Sequence, residues 1–132
     1  MLDVTKSALG AAVTFGLLDL LWLGYLMTGF YRAQLQPMAR MTDGAFTPLW
    51  VPALLVYALL SIGVAVFVVP RAGTLAEALT FGALFGLVSF GVYDLTNYAT
   101  LTHWTIPMTL VDMAWGAVAC GLAATVAFSV AR

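Results

Sequence analysis

Four long apolar runs constrain this chain more than any other feature. They are expected at about 8–27, 49–69, 75–99 and 106–130. Each has the ~20 residues that a helix needs to cross the hydrocarbon core. Lipid leaves only helices or closed barrels, because backbone polar groups must pair internally. The runs are too continuous for barrel strands, which alternate over ~10 residues. Composition agrees: of 132 residues 63% are hydrophobic and 8% charged, with a mean hydropathy of +1.01. A soluble domain carries about 25% charged residues. The expected fold is an all-α integral membrane protein, a four-transmembrane-helix bundle in a single membrane domain over 1–132.

The opening segment could be mistaken for a cleaved leader. Asp3 sits beside Lys6 and Asp19 interrupts the apolar stretch, so it reads as an uncleaved first span. The first loop, TGFYRAQLQPMARMTDGAFTP, is the longest. Phe30, Tyr31, Leu35 and Met38 share one side of a short helix, which suggests an interfacial segment over 29–41. An irregular loop is the alternative, and Pro37 ends or bends any helix there. The second loop is tight, and Thr74 with Glu77 matches a capping box. Tyr98 and Trp104 suit an interfacial aromatic belt. Lys6, Arg71 and Arg132 fall on one side, Arg32 and Arg40 on the other. The positive-inside count favours cytoplasmic termini.

Three aspartates lie inside the runs. Asp94 and Asp112 sit nine residues either side of His103, hence at equal depth in a hairpin turning there. Asp19 lies toward the same side of the membrane on the first helix. An Asp near a helix centre costs roughly 2.5–3.5 kcal/mol on insertion scales, so the three must face the bundle interior or a wet cavity. Counting from Pro48 puts Tyr57 at similar depth. Asn97 is one turn from Asp94. Trp22 follows Asp19 by three residues and Trp115 follows Asp112 by three, so each indole can serve its own helix's carboxyl or a neighbour's. The expected polar layer is Asp19, Trp22, Tyr57, Asp94, Asn97, Asp112 and Trp115, with Arg32, Arg40 and His103 at the rim. It suits a proton, a cation, or a cationic or polyhydroxyl group. It suits equally a set of interhelical hydrogen bonds that only fix the bundle.

Thr14–Leu20 (TFGLLDL) and Ser89–Leu95 (SFGVYDL) share a pattern 75 residues apart, which suggests two parallel helical-hairpin repeats. Gly82 and Gly86, and Gly116 and Cys120, have small-residue spacing suited to close packing within the chain. No His pair and no Glu-x-x-His motif occurs, so zincin and di-iron chemistry are unsupported. No cofactor or metal is expected. Cys120 is the single cysteine and reads as a buried small hydrophobe. With a net charge of −1 and no basic run, nucleic acid is not an expected partner.

The pieces LDLLWLG (Leu18–Gly24), FYRAQL (Phe30–Leu35), GALFGLVSFGVYDLTNYATL (Gly82–Leu101) and TLVDMAWG (Thr109–Gly116) resemble an uncharacterised bacterial family of small predicted membrane proteins. Gln36-Pro37 departs from the Leu-Gly pair usual in that family. The resemblance implies a four-helix bacterial inner-membrane protein and supplies no activity. Three readings follow for the chain. The first is a protein with a polar intramembrane layer that binds or moves a small molecule or lipid headgroup. The second is a lipid-modifying enzyme using paired Asp, and the third a structural or accessory subunit. The ligand and oligomeric state stay open.

Overall fold

A computed structural model describes residues 2–132. Helix α1 (Val4–Leu21) continues as a wider turn over Trp22–Leu26, and α2 (Thr28–Leu35) follows. Strands β1 (Met41–Thr42) and β2 (Ala45–Phe46) come next. Helix α3 (Trp50–Gly63) extends through a wide turn at Val64–Val68 and a tight one at Val69–Arg71. Helices α4 (Leu75–Thr100) and α5 (Ile106–Val130) complete the chain. Among the described residues, four helical stretches are long and apolar enough to cross a membrane: Val4–Leu26, Trp50–Arg71, Leu75–Thr100 and Ile106–Val130. Their outward faces carry a belt of large apolar side chains, among them Leu20, Leu54, Val92 and Leu110, each more than 60% exposed. A water-soluble monomer does not present so continuous a patch. The solvent for this surface is lipid.

The first span starts earlier than its apolar run, because Asp3 caps it. The Asp3 carboxylate accepts from the Lys6 amide at 3.0 Å, satisfying an amide that has no partner in the helix. At the other end the Met27 amide bonds to the Trp22 carbonyl at 2.7 Å. That five-residue reach widens the turn, a feature often found at functional sites. Thr74 caps α4 by accepting from the Glu77 amide at 3.2 Å. Glu77 returns the contact one residue earlier than a standard box, accepting from the Gly73 amide at 2.7 Å.

Helix α5 is the centre of the bundle. Buried small residues (Ala119, Cys120, Ala123, Ala124, Ala127) let α1 and α4 approach it from two sides. The α4–α5 contact is the tightest. A Cβ on Gly86 would collide with the Gly116 carbonyl and with Cys120, and one on Gly82 with Ala124 and the Cys120 carbonyl. The small-residue motifs thus face each other within one chain.

Helix α3 packs on α1 but meets α4 chiefly through Val64–Val68. Gly63 abuts the Phe85 ring where the two helices converge. Before Gly63, α3 stands away from α4. The ends of the chain gather at the opposite side of the bundle from α2. There the Asp3 amide bonds to the Ala131 carbonyl at 3.1 Å, and Arg132 reaches the Ala72 carbonyl at 3.3 Å.

The first loop is ordered by two devices. Helix α2 ends at Leu35, just before Pro37. An Asp43-Gly44 turn then closes the hairpin with both residues at positive φ, 51° and 79°, the geometry that favours Asp-Gly in two-residue loops. The apolar side of α2 does not lie outward at the interface. Tyr31 packs against Trp104 and Met108, with Phe30, Leu35 and Met38 beside them. Trp104 is likewise not a belt residue. It is 7% exposed, its indole donates to Thr109 Oγ1 at 3.1 Å, and Tyr93 meets it edge-on. Tyr98 remains exposed, as a belt residue should.

Candidate functional site: an intramembrane carboxylate layer

The layer is built where α1, α3 and α5 meet. Asp19 on α1 accepts from Tyr57 Oη at 2.6 Å and from Trp115 Nε1 at 2.8 Å. Both carboxylate oxygens are therefore served, each from a different helix. Asp112 on α5 accepts from Tyr31 Oη at 2.9 Å, and Tyr31 accepts from Trp22 Nε1 at 3.1 Å. Each tryptophan of an Asp-x-x-Trp pair thus serves the aspartate of the other helix, Trp115 directly and Trp22 through Tyr31. The two indoles stack between these bonds.

Tyr31 was outside the expected layer because it lies in a loop by hydropathy. Folding α2 back onto α5 inserts it. A Thr105–Gln34 hydrogen bond anchors α2 to the start of α5. Burial raises the Tyr31 phenol above its ordinary value near 10; the Trp22 bond opposes this and the Asp112 carboxylate reinforces it.

Asp94 is 0% exposed and neither carboxyl oxygen has a hydrogen-bond partner. The Asp112 carboxyl is its acidic neighbour, though the pair does not meet hydrogen-bond geometry. Asn97 is half-buried and makes no side-chain bond to the aspartates. The three expected rim residues lie apart from the layer. Arg32 sits over the Phe46 ring at 5.9 Å, Arg40 borders a groove by Phe46 and Pro48, and His103 is exposed.

Where α3 stands away from α4, a cavity of about 400 Å³ opens. Its floor is Asp19, Tyr57 and Asp112, with Ser89 and Tyr93 at the side, and Val56, Leu60 and Phe90 make it otherwise apolar. A second cavity of about 300 Å³ lies under α2 and the β-hairpin, between Tyr31, Phe46, Trp104 and Met108. Asp112 and Tyr93 border both. Ser89, Phe90 and Tyr93 were missed as lining residues, although Ser89 and Phe90 open the second copy of the repeated pattern, Thr-Phe-Gly in the first and Ser-Phe-Gly in the second.

Among the described residues no group of three or more His, Cys, Asp or Glu side chains is placed to hold a metal ion. The profile described as "predicted membrane protein (DUF2177)" matches residues 4–129. The chain belongs to the DUF2177 family. No curated protein and no solved structure matches it. The DUF2177 match covers the four membrane spans, save the last residue of the fourth, and both Asp-x-x-Trp pairs, so the family region contains the whole carboxylate layer.

Proposed function

We propose that this membrane protein binds a small amphiphile in the α3–α4 cavity, with a hydroxyl- or ammonium-bearing head against Asp19 and Asp112. The observation that carries this reading is the cavity itself: a largely apolar lining that gathers two carboxylates, Asp19 and Asp112, and two tyrosines, Tyr57 and Tyr93. Ligand sites combine an apolar lining with a few convergent polar groups in this way. Its position beside the lipid-facing gap between α3 and α4 suits a ligand that arrives from the bilayer. We place the protein in a bacterial inner membrane, with both termini cytoplasmic by the distribution of Lys and Arg.

The test is native mass spectrometry of protein purified with its membrane lipids. Wild type should retain an amphiphile that Ala53→Phe, which fills the cavity from α3, does not. Equal retention by both proteins at equal stability would contradict the reading.

The neighbouring carboxyls of Asp94 and Asp112 favour a second reading, a lipid-modifying enzyme using the pair as acid and base. A lipid profile unchanged between Asp112→Asn and wild-type cells would remove it. A purely structural role would show as loss of stability in Asp variants without any ligand difference.

A further inference from the structure

Asp94 has no role in the cavity reading, since its carboxyl borders neither cavity. It is nonetheless the least explicable side chain in the bundle. It is fully buried in an apolar hairpin, both oxygens lack partners, and its acidic neighbour is Asp112. A buried, unpaired carboxylate is among the costliest groups a protein can contain. Two adjacent ones cannot both stay ionised without a positive charge between them.

The surroundings supply no such charge. On α5 the facing group is Asp112, and on α4 itself it is Tyr93. From α2 it is Tyr31, whose hydroxyl already donates to Asp112. From α1, Asp19 shares a cavity with Asp112 and already holds two donors, one of them α3's Tyr57. Among the described residues the one ion pair is Lys6–Asp3, which involves neither aspartate. A metal cation would require more oxygen ligands than these two carboxyls provide, and no third acidic or His ligand is in place. A proton needs only two oxygens.

We propose that Asp94 and Asp112 form a binding site for one exchangeable proton, with Asp112 exposing it to the cavity beneath α2. Asp94 is sealed, whereas Asp112 borders both cavities. Water entering under α2 therefore meets the pair at Asp112, past the Tyr31 hydroxyl. The Tyr31–Asp112 bond is the contact that water must displace. The site stands on the carboxyl pair and does not require the amphiphile.

Infrared spectroscopy of the protein in lipid nanodiscs tests this without any ligand. At neutral pH the wild type should show a protonated-carboxyl C=O band that shifts in D₂O and is indifferent to replacing choline by sodium in the buffer. Asp94→Asn should lose the band, whereas Asp112→Asn should shift it, because the sealed Asp94 carboxyl is still too costly to ionise. Asp19→Asn should keep it, since Asp19 is served by Tyr57 and Trp115. Tyr31→Phe should speed the D₂O shift severalfold. The proposal is overturned if wild type lacks the band, if the band survives in Asp94→Asn, if it is unmoved in Asp112→Asn, or if sodium abolishes it. The wild-type measurements stand even where a variant fails to fold.

Discussion

The indoles of Trp22 and Trp115 stack face to face, with ring centroids 4.4 Å apart and planes 2° from parallel. They come from α1 and α5 and lock the two Asp-x-x-Trp pairs into a crossed arrangement. Two parallel indoles at this distance couple their electronic transitions. Near-ultraviolet circular dichroism should therefore show a paired positive and negative band that vanishes in both Trp22→Phe and Trp115→Phe. Trp115→Phe should also destabilise more, because it strips one donor from Asp19. Interhelical hydrogen bonds in membranes are worth about 0.6 kcal/mol on average and reach about 1.7, so the expected loss is about 1–2 kcal/mol.

Tyr31 links α2 to the layer through two hydrogen bonds made by one hydroxyl. Tyr31→Phe leaves the Trp22 N–H without an acceptor and Asp112 without a donor. Thermal unfolding in detergent should fall by roughly 1–3 kcal/mol equivalent, the usual cost of unsatisfied buried groups. Its pH dependence has a definite sign. The folded phenol holds its proton more tightly than the unfolded one. The contribution is fully present below the ordinary tyrosine value near 10 and is lost as pH rises above it, because the unfolded state then binds fewer protons. Wild type should lose stability above about pH 10 more steeply than Tyr31→Phe. Parallel slopes would contradict this.

The α4–α5 seam predicts a sharp contrast between glycines. Gly86 has the Gly116 carbonyl against it, whereas nothing lies within 4 Å of a Cβ on Gly16. Gly86→Ala should cost about 1–3 kcal/mol, the usual penalty for overpacking. Gly16→Ala should be neutral or slightly stabilising, since it removes glycine's entropy cost in a helix. Unfolding in mixed micelles compares the two.

Much of this was readable from residue order. Span length follows from the apolar runs, and the count from Pro48 set Tyr57 near the depth of the aspartates without naming a partner; its hydroxyl donates to Asp19 at 2.6 Å. What escaped depended on contacts distant in sequence. Tyr31 meets Asp112 across 81 residues. The signal was its place on the apolar side of α2, since a buried tyrosine needs a partner for its hydroxyl. Trp104 was misplaced for the same reason: α2 covers it, and hydropathy carries no record of what folds over a loop. Asn97 shares a helix side with Asp94, but one turn further along α4 it is only half-buried while Asp94 is sealed. The Asp43-Gly44 turn was a local signal for the hairpin.

Four spans put both termini on one side of the membrane. Reporter fusions at Asp3 and after Arg132 should report the same compartment, and a fusion at Gly44 the opposite one. Under the proposed orientation, the two terminal fusions should report the cytoplasm and the Gly44 fusion the other side.

The account rests on the gap between α3 and α4 being a ligand site with a polar floor. An experimental structure of the protein in lipid nanodiscs tests that most directly. The account predicts density filling the gap, with a polar head within ~3 Å of the Asp19 or Asp112 carboxylate, a hydrogen-bonding distance. A gap closed by α3 resting on α4, or filled by acyl chain alone with no polar contact to either aspartate, would contradict it.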